Sequence, residues 1–212
     1  SDPSSAAFLL VAATLMPGSE VTAHKLLLNP TRTGFIQVMQ RMGAKIAIQT
    51  SKNSGLGAEC IGSATAGHCA SLQATTIEPE QVPTLIDEVP ILALLACAAR
   101  GQTRFKAVGE LRVKESDRLA AIIAGLVALG FEAWEEGDDL LVEGQPTEFL
   151  ATLASADKTR LLATHGDHRL AMTWAIAELI SGQQLNIENR ACVAVSYPGF
   201  YTDLQQLQED AK

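Results

Sequence analysis

Blocks of positive charge are missing from this sequence. Its 16 Lys and Arg residues are dispersed among 24 Asp and Glu, giving a net charge of −8, so neither a nucleic-acid partner nor an anionic membrane surface is expected. An anionic ligand would have to be held by a local pocket. Long apolar runs are missing too: "PILALLACAA" and "AFLLVAATLMPG" fall short of the roughly 18 to 20 residues that a bilayer span requires, and no transmembrane helix is predicted. The start, "SDPSSAAF", has no basic n-region and no initiator Met, so no signal peptide is read, and an excised fragment or a processed start is expected. Cys60, Cys69, Cys97 and Cys192 show no CxxC spacing, which predicts reduced thiols and a cytoplasmic setting. His68 and Cys69 are adjacent in "GHCA", but adjacent side chains diverge and no further ligands cluster there, so no metal is expected. GxGxxG and GxxxxGK[ST] are both absent, leaving dinucleotide and P-loop readings without support.

What the chain does have is a repeat. "SSAAFLLVAATLMPGSEVTAHKL", "DEVPILALLACAARGQTRFKAVGEL" and "DHRLAMTWAIAELISGQQLNIENRA" share a polar start, a small-residue apolar helix, a glycine and an alternating strand. The glycines, Gly18, Gly101 and Gly182, recur at intervals of 83 and 81 residues, which predicts three related units with the glycine ending each helix. A second helix follows in each unit. In "TRTGFIQVMQRMGAKIAIQ", Phe35, Ile36, Met39 and Met42 make an apolar stripe before Gly43; "SDRLAAIIAGLVALGFEAW" repeats the plan with Gly130, and "YPGFYTDLQQLQEDAK" begins it again. A strand-rich tail such as "DDLLVEG" completes a unit. The first helices are apolar nearly all round and are expected to be buried on most sides. The segment from Thr50 to Gly67 is the most loop-like and is expected to be a flexible connection. With 47% hydrophobic residues and no internal boundary, residues 1–212 read as a single α/β domain in which helices pack inside a shell of sheets.

The unusual residues fall at equivalent helix starts. First-helix starts hold Ser4 and Ser5, then Asp87 and Glu88, then Asp167, His168 and Arg169; second-helix starts hold Thr31 and Arg32, then Lys114 to Arg118, then Ser196. If the units pack around a pseudo-threefold axis, these ends share one face, where free N–H groups and helix dipoles favour phosphates and carboxylates. The plainer account is capping by Ser4, Ser5, Asp87 and Ser116, with Glu115–Arg118 and Lys114–Asp117 as surface ion pairs worth a few tenths of a kcal/mol.

"LRVKESDRLAAI", "DHRLAM", "IDEVPILALLACAARG", "DPSSAAFLL" and "NPTRTG" together resemble the 5-enolpyruvylshikimate-3-phosphate synthase family, the 3-phosphoshikimate 1-carboxyvinyltransferases. The resemblance covers essentially the whole chain. It implies an enolpyruvyl transferase domain of three repeated βαβαββ-type units, making most of one of the two domains of such an enzyme, the C-terminal half, with the N-terminal domain missing. The implied reaction moves the enolpyruvyl group of phosphoenolpyruvate to the 5-hydroxyl of shikimate 3-phosphate and releases phosphate, in aromatic amino acid biosynthesis, with no cofactor. By the same resemblance Asp87 is the base or hydroxyl-orienting group, Glu115 protonates the methylene carbon, Lys114 contacts phosphoshikimate and the reacting oxygen, and Arg118 and Arg169 clamp phosphoenolpyruvate.

Two departures stand out. Many members carry a Lys where "AVSYPGF" places Val195, as the glyphosate-tolerant subgroup does not, and Glu110 stands where some members have Asn. That subgroup shares "IDE.PILA" and "NPTRTG", and the family is the glyphosate target. Two other readings stay open: one half of the related UDP-N-acetylglucosamine enolpyruvyl transferase, against which "KESDR" argues, and a non-catalytic binding module. Either way, the isolated chain is expected to be inactive.

Overall fold

The computed structural model describes residues 2–51 and 60–210. The first unit runs α1 (Pro3–Leu15), β1 (Glu20–Leu27), α2 (Gly34–Arg41), β2 (Lys45–Thr50) and β3 (Ile61–Gly67). The second opens with two short strands, β4 (Leu72–Gln73) and β5 (Thr76–Ile77), and continues α3 (Val89–Cys97), β6 (Ala99–Phe105), α4 (Arg118–Ala128), β7 (Glu132–Glu136) and β8 (Asp139–Gly144). The third contains α5 (Phe149–Ala154), β9 (Leu161–Leu162), α6 (His168–Ser181), β10 (Asn186–Ile187) and α7 (Phe200–Asp210).

Strand pairing repeats along with the elements. In the first sheet β3 lies between β1 and β2, antiparallel to both, and in the second β8 lies between β6 and β7 in the same way. In each, the last strand of the unit lies between the two that precede it. β4 and β5 add to the free edge of β6 in parallel, and β9 pairs with β10 in parallel.

The three first helices form the centre. α1, α3 and α6 contact one another, and α3 is buried at every residue. Their apolar residues point in all directions because there are neighbours in all directions: α1 faces β1 and β3, while α3 faces β6, β8 and α4. Fully burying one Leu or Phe of this core is worth about 1.5–3 kcal/mol. Close approach depends on small residues. A methyl at Gly125 of α4 would lie 2.1 Å from the ring of Trp174 on α6, and Trp174, itself fully buried, donates from Nε1 to the carbonyl of Ala163 at 3.3 Å.

Several expectations need correcting. Gly182 ends α6 in the left-handed conformation, but Gly18 lies beyond Met16, the C-cap of α1, and Gly101 lies inside β6, because α3 already ends at Cys97. The tighter correspondence belongs to the second helices, where Gly43 and Gly130, with φ of 97° and 96°, each follow the C-cap of α2 and α4. The expected loop from Thr50 to Gly67 is in large part strand: Thr50 closes β2 and Ile61–Gly67 is the central β3, while residues 52–59 lie outside the described residues. Its small residues disguised it. They suit a strand paired on both sides, since a methyl at Gly62 would lie 2.3 Å from the carbonyl oxygen of Gln49.

Candidate active site

Helix starts from all three units meet on one face. The caps are aspartates rather than the expected residues: Asp2 accepts from Ser5 N, Asp117 from Ala120 N, and Asp167 from the N–H groups of Arg169 and Leu170. Ser4, Asp87 and Ser116 are therefore not the N-caps, and Ser5 is the capped residue. Lys114 to Asp117 also precede α4 rather than forming its first turn; Arg118 is the first helical residue.

Arg118 is the centre of the arrangement. It is fully buried, and its guanidinium donates from Nε to Asp167 Oδ2 at 2.7 Å, from Nη2 to Glu115 Oε2 at 2.5 Å and from Nη1 to Asp87 Oδ1 at 3.4 Å. The Glu115–Arg118 pair anticipated as a surface bridge is thus anchored in the interior at its cationic end. Arg169 reaches Asp87 from α6, with Nη2 at 3.2 Å from Oδ2 and Nη1 at 3.4 Å from the main-chain carbonyl. Asp87, Glu115, Arg118 and Arg169 are therefore brought together, Asp87 bridging both arginines.

Lys114 stands apart from this cluster. Its ammonium binds Glu110 at 2.5 Å, not Asp117, so the predicted Lys114–Asp117 pair is replaced by one with Glu110. Ser196 and Val195 end a 3₁₀ segment and are exposed, Val195 at 85%. Thr31 closes a turn on Asn29.

Three residues extend the cluster beyond the candidates singled out by role. Asp167 is as buried as its partner Arg118. Glu88 is buried with Oε1 free of hydrogen bonds and 3.8 Å from Arg169 Nη1; burial pushes its carboxyl above the usual range, with Ser4 and Arg169 pulling the other way. Arg32 donates to Ser4 Oγ at 3.0 Å and lies 3.6 Å from Asp2, and the hydrogen bond between Ser4 and Glu88 ties the first unit to the same face. Each sits at a helix start that the repeat had marked. Which carboxylate meets which cation was hidden, because Asp167 and Arg118 lie 49 residues apart. His168 is half-buried beside the cluster, and burial, then Arg169, holds its imidazole below the ordinary value.

Arg118 and Arg169 occupy the first turns of α4 and α6, which hold no acidic residue of their own, so their charges are met by Asp167, Glu115 and Asp87 from outside those turns. Cations there oppose the helix dipole at about 0.3–1 kcal/mol each. A guanidinium fork matches anions with planar, two-oxygen ends. Among the described residues no group of three or more His, Cys, Asp or Glu could hold a metal. His68 and Cys69 turn to separate partners, Thr14 O and Gly43 O. Among the described residues no helix is long and apolar enough to cross a membrane. A cavity lined by Ala13, Met16, Glu20 and Leu179, among others, lies at the opposite ends of α1 and α6.

Comparison with known proteins identifies the family. The family model described as EPSP synthase (3-phosphoshikimate 1-carboxyvinyltransferase) matches residues 1–204. The 3-phosphoshikimate 1-carboxyvinyltransferases of Roseiflexus castenholzii and Methylobacterium sp. (strain 4-46) are each 42% identical over 208 residues, which cover 98% and 97% of this chain but only 46% and 44% of those proteins. A solved EPSP synthase from Acinetobacter baumannii superposes with a TM-score of 0.85 at 33% identity, over 97% of this chain and 45% of that one. The enolpyruvyl transferase NikO from Streptomyces tendae shares the fold, with a TM-score of 0.66 at 18% identity over 97% of this chain and 42% of that one. The chain thus spans less than half the length of the relatives it matches, and by sequence and fold it belongs to the EPSP synthase family.

Proposed function

We propose that this chain supplies one side of the active site of a 3-phosphoshikimate 1-carboxyvinyltransferase, as most of one of its two domains, the N-terminal domain of the same enzyme supplying the other side. The observation that carries the reading is the meeting of Asp87, Glu115, Arg118 and Arg169 on one face. Phosphoenolpyruvate brings a phosphate and a carboxylate, each a match for a guanidinium fork. Shikimate 3-phosphate brings a hydroxyl that must lose a proton and a phosphate that must be held.

In this reading Asp87 orients and accepts the proton of the 5-hydroxyl as its oxygen bonds to C2 of phosphoenolpyruvate. Glu115 gives a proton to the methylene carbon C3. When the C2–phosphate bond breaks, C3 returns that proton and the enolpyruvyl ether is left. Arg118 and Arg169 hold the donor's anionic groups through both steps. An incoming anion competes with Glu115 for Arg118 Nη2, which frees the carboxyl for its task. Lys114 needs only to leave Glu110, an exposed partner, to reach a substrate oxygen. "KESDR" disfavours the UDP-N-acetylglucosamine enolpyruvyl transferase, and the setting is the cytoplasm.

A non-catalytic module is favoured by one fact, the complete pairing of Arg118 with three carboxylates. Against it, the family model described as EPSP synthase matches residues 1–204, which favours the enzyme. The test is kinetic. In the full-length enzyme, Asp87→Ala and Glu115→Ala lower kcat severely, and Arg118→Ala chiefly raises KM for phosphoenolpyruvate. Near-normal constants for all three would refute the assignment, and phosphate release by the 212-residue chain alone would refute the shared site. Calorimetry separates the module: complete indifference to millimolar shikimate 3-phosphate supports it over the enzyme.

A further inference from the structure

The loop that carries Lys114 and Glu115 is fastened from outside the site. It runs from the end of β6 to the start of α4, with a 3₁₀ turn over Gly109–Val113. Leu111 is buried, Val113 is 80% exposed, and burial resumes fully only at Arg118. In between, one side chain reaches another strand pair. Arg112 donates from Nη2 to Glu135 Oε2 at 2.9 Å and to the carbonyl of Gly137 at 3.2 Å, while its Nε lies 3.8 Å from Asp138 Oδ1. All three belong to the β7–β8 hairpin. The same guanidinium places Nη1 3.9 Å from Asp117, the cap of α4.

The hairpin tip grips the beginning of the loop as well. Val108 N donates to Asp138 O at 2.8 Å, and Ala107 N to Asp139 Oδ1 at 2.8 Å, with Ala107 in the left-handed region at φ 53°. A non-glycine residue persists there only when its surroundings hold it. Asp139 is itself fixed by Arg104 at 2.7 Å. Gly109 passes so close that an added methyl would lie 2.7 Å from the Asp138 carboxylate. The hairpin thus holds the loop at its start, through Ala107 and Val108, and in its middle, through Arg112, which also reaches Asp117 at the loop's end.

We propose that Arg112 is a positioning residue for enolpyruvyl transfer, tying the Lys114–Glu115 loop to the β7–β8 hairpin so that Glu115 is presented at Arg118 and the donor carbon. This rests on the functional reading above. Lysine cannot replace it, because a single ammonium cannot span Glu135, Gly137 and Asp117 together.

The test is a double-mutant cycle in the full-length enzyme, pairing Arg112→Ala with Glu115→Gln. A misplacement of about 1 Å costs on the order of 100-fold, so Arg112→Ala lowers kcat by about 10- to 100-fold while KM for phosphoenolpyruvate, set by Arg118 and Arg169, stays within about twofold. In the Glu115→Gln background the same substitution costs less than about twofold, since it acts through a group already removed. Glu135→Gln weakens the tie from the hairpin side, lowers kcat less, and shows the same non-additivity; it replaces Arg112→Ala if that variant does not fold. Undiminished multiplication of the two losses, or a wild-type kcat for the Arg112 or Glu135 variant, overturns the proposal alone. An unchanged kcat in Glu115→Gln itself overturns the functional reading and this proposal with it.

Discussion

Replacing Arg118 by Met should be among the most costly single changes in the domain. Methionine keeps most of the length and the apolar stem but removes the charge, leaving Asp167 fully buried without its cation. Removing one partner of a buried pair costs about 3–5 kcal/mol. Two terms offset this: Asp167 keeps the N–H groups of Arg169 and Leu170, and the start of α4 loses an unfavourable cation worth about 0.3–1 kcal/mol. Glu115, with its side chain half exposed, and Asp87, one-third exposed, add little, about 0–1 kcal/mol each. The net loss is about 3 kcal/mol, a large part of the 5–15 kcal/mol typical of a native domain. Urea unfolding of the 212-residue chain, followed by the fluorescence of Trp174 beside α4, reads it as a midpoint lowered by about 1 to 1.5 M for a slope of about 2–3 kcal/mol/M. Adding Asp167→Asn removes the stranded charge while an amide oxygen still caps α6, and should restore at least half of the loss. A loss under about 1 kcal/mol for Arg118→Met, or a double variant no more stable than the single, would show that the buried pair is not what orders this face.

Two further predictions concern packing and pH. Gly125→Ala gains about 1 kcal/mol of helix propensity but drives a methyl into the Trp174 ring; overpacking at about 1–3 kcal/mol or more wins, so the thermal midpoint falls, and a rise would disprove the contact. Glu188 accepts from His165 N and Thr164 N, which hold its carboxylate below the ordinary value. Its stabilisation is therefore fully present above pH 4.5, the unreacted carboxyl's value, and is lost as pH falls through the lower folded value. Glu188→Gln should flatten that acid limb of the stability profile, and parallel wild-type and variant profiles from pH 6 to 3 would contradict the assignment.

The repeat was legible because α1, α3 and α6 are so apolar that only a central position suits them, and because the units recur at a near-constant interval. The strand β3 was not, since Gly62, Ala64 and Ala66 carry a turn-like composition into a strand whose neighbours need small residues. At the site, the helix starts bearing Asp87, Arg118 and Arg169 were visible as repeat positions. Their partners were not: spacing made Glu115–Arg118 look like a surface pair, whereas burial of Arg118 is decided by α6 and Asp167 from another unit. Lys114 shows the reverse, a charged residue in the expected segment whose nearest anion, Glu110, lies four residues back.

The encasement of α1, α3 and α6 has a mechanical consequence. A helix with packed neighbours on every side cannot turn about its axis or slide without driving side chains into occupied volume. Asp87, at the entry to α3, and Arg169, on α6, are thereby mounted on a common frame whose spacing is set deep in the core. Under the proposed function, adjustment to a substrate falls to side-chain torsions. Any larger closing motion must carry this face as one piece.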